Sequence, residues 1–312
     1  MRVDSIQKPI VVLVGPTAVG KTELSLAIAE RYNGEIVSVD SMQVYTYMDI
    51  GTAKPSLEER RGIAHHLLDV VTPDQSYDAA SFARDAGNSI EGILQRNRLP
   101  ILVGGTGLYL KALLQGLFAA PALDDTVRRK LRQRLVDEGL PSLYLELHSI
   151  DTIAAQKIGA TDRQRILRAL EIYLSSGVSW TEHLQRQADH LSSPRYTNTL
   201  QIGLSCDRRQ LYSRIDERCR AMVAKGLEEE VSSLLSRGYH RNLKPMGAIG
   251  YRHMLDYLEG QDDKGVMLEK MSRDTRRYAK RQFTWFSRND ALQWFLPTET
   301  LRIFSTIDQW LP

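Results

Sequence analysis

GPTAVGKT, residues 15–22, follows the apolar run IVVLV at 10–14 and precedes a stretch, 23–32, that reads as a helix. A strand, a glycine-rich turn ending in Lys-Thr and a helix together make a phosphate cradle. Gly15 and Gly20 let the backbone wrap tightly, so that successive N–H groups point inward. The helix behind adds its positive N-terminal end. Lys21 brings a full charge to the terminal phosphates, and Thr22 offers a hydroxyl to Mg²⁺. Gly15, Pro16, Thr17, Ala18, Val19, Gly20, Lys21 and Thr22 are therefore the expected phosphate- or pyrophosphate-binding set, with Thr22 as metal ligand. The motif does not say which phosphate is held.

Outward from the loop, strand-like and helical segments alternate. EIVSVD at 35–40 and the run at 99–103 read as strands, with a helical pattern over 79–96 between them. This order predicts an α/β fold: a P-loop NTPase-like core of parallel strands with helices on both faces. From 121 to 195 the apolar residues recur only at helical spacing, among them Val127, Leu131 and Leu135, then Ile166, Leu167 and Leu170. A helical insertion domain is expected there. It should close in a loop at RQADHLSSPRY, 186–196, which is polar throughout. TLQIGLSC at 199–206 reads as the sheet resuming, so the core comprises 1–120 and 196–312. The remainder is expected to be mostly helical, over 208–225, 227–236, 251–259 and 264–288.

Composition excludes several classes. The 312 residues are 42 % hydrophobic and 25 % charged, as in ordinary globular proteins. No apolar run approaches the roughly 18 residues that cross a bilayer, and the N-terminus lacks a secretory pattern. A cytoplasmic protein with no membrane partner is expected. Cys206 and Cys219 stand in no CxxC pair, and no His cluster has zinc-ligand spacing, so free thiols are expected. The net charge of +3 divides into −2 over 1–120 and +5 over 121–312. The basic clusters RRKLRQR (128–134), RQRILR (163–168) and RRYAKRQ (276–282) fit polyanion contacts, though each taken alone reads first as a solvated helix face with i,i+4 pairing.

A P-loop NTPase normally carries an acid at the end of another core strand to hold Mg²⁺. The run at 99–103 ends in Gly104, Gly105 and Thr106, with no acid. Asp40 is the strand-terminal acid instead. Parallel strands end at one edge and ligands bind there, so Asp40 should lie near the loop. It could hold Mg²⁺ through water, take a proton from an attacking group, or only form a turn. Small-molecule kinases also place an Asp there, so a P-loop small-molecule or nucleotide kinase stays open on these residues. His65 and His66 are expected to be structural or substrate-lining.

Six blocks occur in order: GPTAVGKT, VDSMQVY with MDIGTAKP, LVGGTGLYLKALLQG, DRQRILRALE, YRHMLDYLEG and AKRQFTWF. Together they cover nearly the whole chain and resemble the tRNA dimethylallyltransferases, or isopentenyl-tRNA transferases. The resemblance is to the bacterial form, so the C-terminal zinc finger of the eukaryotic relatives is not expected. The resemblance implies transfer of a dimethylallyl group from dimethylallyl pyrophosphate to N6 of the adenosine at position 37, beside the anticodon of tRNA. The loop would then hold a leaving pyrophosphate, with Mg²⁺ as cofactor. No hydrolytic water needs aligning, so the missing acid is dispensable.

By the same resemblance, Asp40 is the general base, Thr106 stands beside the reacting adenine, and Arg218 is a further pyrophosphate ligand. On the residues alone, Arg214 and Arg218 read as i,i+4 neighbours on a solvated helix face. The adenine must leave its stack to react, and Asp40, Ser41, Met42, Gln43 and Thr106 match the residues that receive it. Arg128 and Gln164, Arg165, Ile166, Leu167 and Arg168 match positions that touch the anticodon stem-loop, where arginines give affinity more than sequence reading. GAIGYR at 247–252 and the basic C-terminal helix are further candidates. A monomer is expected, with tRNA and dimethylallyl pyrophosphate as partners. Besides the kinase, the competing reading is an adenylate isopentenyltransferase acting on free AMP, ADP or ATP, which needs no RNA-gripping insertion.

Overall fold

The computed structural model describes residues 7–116, 125–190 and 195–311. The chain divides into two compact units, Met1–Leu114 with Arg195–Pro312, and Gln115–Pro194. The first opens with β1 (Ile10–Val14), α1 (Lys21–Arg31), β2 (Gly34–Val39), β3 (His65–His66), α2 (Ala79–Gln95), β4 (Leu99–Gly104) and α3 (Gly107–Gln115). The second holds α4 (Asp125–Asp137), α5 (Gly139–Ile150), α6 (Thr152–Ile158), α7 (Arg163–Ser176) and α8 (Trp180–His190). The first resumes with β5 (Thr199–Leu204), α9 (Arg208–Ala224), α10 (Leu227–Ser236), α11 (Tyr251–Leu258), α12 (Lys264–Phe286), β6 (Leu292–Phe295) and α13 (Thr300–Trp310).

The six strands form one parallel sheet in the order β3-β2-β4-β1-β5-β6. β1 lies inside it, and every side chain of its IVVLV is fully buried. A parallel strand covered on both faces needs such an unbroken apolar run. Each of these side chains contributes roughly 1.5–3 kcal/mol by burial. Helix α1 presses Leu24 and Ile28 into the core, and α2 adds Phe82, Ile90 and Ile93. Asp78 caps α2 by accepting from the amides of Ala80 and Ser81 at 3.1 and 2.8 Å.

Register sets the site. Val14 and Val39 both pair with Gly104, so β1, β2 and β4 end level with one another. The next residues, Gly15, Asp40 and Gly105, therefore start their loops side by side at the carboxyl edge.

Two strands depart from the sequence reading. β3 is only two histidines, and β6 lies past the last expected helix, 264–288, where no strand was expected. Both are edge strands, too short for alternation to show. His66 Nε2 lies 2.7 Å from Glu35 Oε2, and His65 Nδ1 lies 2.9 Å from the Ile63 carbonyl, so both imidazoles serve the sheet edge.

The described residues of the second unit are helices and short connections. Its core is Leu131, Leu143, Leu147, Ala155, Ile166 and Leu170, all nearly fully buried. The loop expected over 186–196 is corrected in part: α8 continues through His190. Arg186, Gln187 and Ala188 are good helix formers, and the run carries no apolar stripe to mark the helix in the sequence. Residues 191–194 of that stretch, and the expected start of the insertion at 121, lie outside the described residues.

Candidate active site

The loop 15–22 wraps as its glycines require. Gly15 has φ +152° and Gly20 φ +112°, and an added Cβ on Gly15 would lie 2.7 Å from the Leu204 carbonyl oxygen. Ala18 adopts φ +64°, a left-handed conformation without glycine's freedom. Val19 is fully buried and anchors the loop from below. Lys21 and Thr22 open α1, and Lys21 Nζ turns back to donate to the carbonyls of Gly15 and Pro16 at 2.9 and 2.8 Å.

Above the loop lies a cleft of about 750 Å³, lined by Thr17, Lys21, Thr22, Asp40 and Arg218 among others. A smaller cleft of about 290 Å³ adjoins it, with Met42, Met222, Ile249, Tyr251 and Met271 in its walls. Thr17, Asp40, Thr52, Arg218 and Tyr278 line both, so they stand where the two meet.

The charges at this boundary act on one another. Burial pushes the Lys21 ammonium down to about 7; Arg218 pushes the same way and Asp40 opposes. Burial also lowers Arg218 from its usual value, with Asp40 again opposing. Two cations thus share one carboxylate, leaving positive charge uncompensated for an anion. Burial holds the Tyr278 phenol up at about 12, and Asp40 adds to this, so the hydroxyl keeps its proton.

Asp40 forms the expected turn and also acts on its charged neighbours. Its Oδ1 accepts from the amides of Met42 at 2.8 Å and Gln43 at 3.3 Å, which forms the turn after β2. Its charge is felt by Lys21, Arg218 and Tyr278. Thr106 Oγ1 accepts from the Ser41 amide at 3.1 Å, and its own amide donates to Val39 O at 3.2 Å. Asp40, Ser41 and Thr106 are thereby locked together.

Gln43 lines the larger cleft, but its amide is taken up by neighbouring groups. Ser38 Oγ donates to its Oε1 at 2.9 Å, and its Nε2 donates to the carbonyls of Thr52 and Ala53 at 3.3 Å each. It braces the segment 49–54. The Glu230 carboxylate braces the same segment, accepting from the amides of Asp49, Ile50 and Gly51 at 2.9, 2.7 and 3.1 Å, and from the Tyr251 hydroxyl at 2.6 Å. Buried Lys54 pairs with Asp49 and Asp69, both at 2.6 Å.

Arg218 departs from the residue-level reading of a solvated face: it is half-buried and lines both clefts, whereas Arg214 is exposed, lines only the phosphate cleft and donates to the Val19 carbonyl at 3.4 Å. The difference is one helical turn of α9, whose Ile215 and Cys219 face the core.

In the helical unit, Arg128, Arg165 and Arg168 are engaged with acids. Arg128 Nε donates to Glu171 at 2.7 Å, Arg168 to the same carboxylate at 3.0 Å, and Arg165 lies 3.5 Å from Asp162. Gln164 and Arg165 are exposed and Leu167 is half-buried. Ile166 corrects the expectation of RNA contact: it is fully buried in the unit's own core. On a helix, one position of such a run must face inward.

The pattern of the IPP transferase family matches residues 43–290. The chain belongs to this family. Members similar to it include the tRNA dimethylallyltransferase of Desulfotalea psychrophila, 45 % identical over 99 % of this chain and 97 % of that one. That of Geobacter sulfurreducens is 46 % identical over 91 % of each. Among solved structures, the tRNA isopentenylpyrophosphate transferase of Bacillus halodurans superposes with a TM-score of 0.71 at 38 % identity, covering 98 % of this chain and 97 % of that one. A eukaryotic dimethylallyltransferase acting on tRNA gives 0.72 at 31 % identity, over 90 % of this chain and 70 % of its own. The fold is the P-loop NTPase-like α/β fold of this family.

In this IPP transferase, sequence reasoning missed Glu230, Tyr278 and Gln282. Gln282 is 6 % exposed, takes the Thr17 amide at 2.9 Å and donates to Gly105 O at 3.0 Å. The only signal was its place one turn after Tyr278 in a basic block whose arginines drew the eye.

Proposed function

We propose that this IPP transferase moves a dimethylallyl group from dimethylallyl pyrophosphate to N6 of adenosine 37 in the anticodon stem-loop of tRNA, releasing pyrophosphate. The observation that carries this reading is the junction of the two clefts. Asp40 and Arg218 stand at it, with the phosphate loop on one side and a small, largely apolar space on the other. A reaction that parts a pyrophosphate from a five-carbon group needs such a division.

The mechanism follows from these residues. The adenine leaves its stack and presents N6 beside Asp40 and Thr106. The N6 lone pair attacks C1 of the dimethylallyl group, the C1–O bond breaks, and its electrons pass to the pyrophosphate. Asp40 takes the N6 proton, which the delocalised amine must lose to end as a neutral product. The amides of the loop, Lys21 and Arg218 receive the growing negative charge. The hydroxyl of Thr22 and the carboxylate of Asp40 line the phosphate cleft as hard oxygen donors and suit Mg²⁺. When bound, Mg²⁺ would neutralise further charge on the leaving group.

On α4 and α7, Arg128, Gln164, Arg165 and Arg168 are the candidates for phosphate contacts, with half-buried Leu167 beside them and Ile166 holding the helix in place. A monomer in the cytoplasm is the proposed working form: Lys21, Asp40, Thr106 and Arg218 all come from one chain. No helix of the described residues is long and apolar enough to cross a membrane.

The test is incubation with labelled dimethylallyl pyrophosphate and unmodified tRNA, followed by nucleoside analysis, with AMP, ADP and ATP as parallel acceptors. Label on N6 of the adenosine next to the anticodon is expected. Label on free nucleotides alone, or thermal protection by ATP but not by dimethylallyl pyrophosphate, would overturn the reading.

A further inference from the structure

We propose that Gln282 is a positioning residue: its buried amide holds the pyrophosphate loop and the Thr106 turn at one separation, and transfer depends on that separation. The proposal rests on the transferase reading above. Loop and turn follow different strands, β1 and β4. Register brings those strand ends level, but does not fix how the two loops stand beyond them. Gln282 does so from a third element, α12, by accepting from Thr17 N at 2.9 Å and donating to Gly105 O at 3.0 Å. One primary amide supplies both the acceptor and the donor, and at 6 % exposure water does not compete for them.

Both ends of this tie are shaped for it. A Cβ on Gly105 would lie 2.0 Å from Gln282 Nε2, so a side chain there would push the amide out of this tie. Thr17 precedes Ala18, whose φ of +64° is costly outside glycine. A strained loop keeps its shape only where its surroundings over-determine it, and Gln282 is such a surrounding. On the other side, Gly105 leads into Thr106, which holds the Ser41 amide at 3.1 Å next to Asp40. Tyr278, one turn earlier on α12, interacts with both Thr106 and Gln282 and feels the charge of Asp40. A shift of Gln282 would therefore reach the donor loop and the acceptor turn together. Bond formation needs the reacting atoms about 3–3.5 Å apart, and a misplacement of ~1 Å can cost ~10²-fold in rate.

The experiment compares wild type, Gln282→Leu and Gln282→Glu as full-length enzymes, at a temperature below the melting transition of each. It reads kcat at saturating tRNA and dimethylallyl pyrophosphate, donor KM, tRNA Kd, and the calorimetric Kd for inorganic pyrophosphate. Leu keeps the bulk and loses both hydrogen bonds; its kcat should fall by about tenfold or more, with weaker pyrophosphate binding and unchanged tRNA Kd. Glu has the same shape, and its protonated form again accepts from Thr17 and donates to Gly105. Its kcat relative to wild type should therefore climb as pH falls, while that of Leu stays flat and low. Wild-type kcat and pyrophosphate Kd in Gln282→Leu would overturn the proposal, as would a Glu variant that tracks the Leu variant at every pH. If the wild type itself transfers nothing, the transferase reading fails, and the pyrophosphate Kd of Gln282→Leu still decides whether Gln282 holds the loop.

Discussion

Lys21 and Arg218 face one cleft as like charges, and the ammonium of Lys21 yields: burial first, and Arg218 second, bring it to about 7. A bound pyrophosphate reverses that balance by favouring the protonated form. Above pH 7 the free enzyme has lost much of this proton, so binding must take one up. Calorimetry of dimethylallyl pyrophosphate binding at pH 8, in buffers of different ionisation enthalpy, should show proton uptake. Lys21→Arg stays charged and should abolish it. A wild-type enthalpy independent of buffer would refute the assignment.

Asp40 forms a turn and is the proposed base, and these uses separate by substitution. In Asp40→Asn the side-chain oxygen still accepts from the Met42 amide, an existing bond of 2.8 Å, while the base is gone. The expected result is a kcat lower by roughly 10²–10⁴, with the melting temperature and tRNA Kd little changed. Turnover near the wild-type rate would remove Asp40 from the base role.

Glu35 lies at the far end of β2 from the site and is 3 % exposed. The hydrogen bond from Arg96 is the largest cause holding its carboxyl at about 2; burial opposes, and His66 assists. A carboxyl depressed in the folded state stabilises above its unfolded value, here 4.5, and loses that contribution as pH falls toward 2. Glu35→Gln should therefore lower the melting temperature most at neutral pH, with the gap to wild type closing between pH 4.5 and 2. A gap independent of pH would contradict the pairing.

Ile166 and Arg165 are neighbours on α7 with opposite fates, buried and exposed. Ile166→Ala should cost about 2–5 kcal/mol of the helical unit's stability, seen in denaturant unfolding. Arg165→Ala should leave stability nearly unchanged and reduce the slope of log Kd for tRNA against log salt by about one phosphate contact. Equal salt slopes for wild type and Arg165→Ala would exclude that contact.

How much was legible depended on whether the cause was local. The loop 15–22 was legible because glycine at two fixed places, Lys and Thr follow from backbone geometry and charge within eight residues. Asp40 was legible because parallel strands end at a common edge. The role proposed for Arg218 came from family resemblance, since α9 shows Arg214 and Arg218 as equals until packing places only Arg218 where the two clefts meet. Ile166 was read with its basic neighbours, and only its place in the helical core separates it from them.

The sequence by itself determined the phosphate cradle, the parallel order of the main strands and the presence of a helical unit, because these rest on periodicity and on residues close in the chain. Tertiary structure decided the rest. Thr17 and Gln282 are joined at 2.9 Å across 265 positions, and Gly51 and Glu230 at 3.1 Å across 179. No local pattern encodes such a pair. A buried amide or carboxylate takes as partner whatever polar group the fold brings within hydrogen-bond reach, and that is known only once the chain has packed.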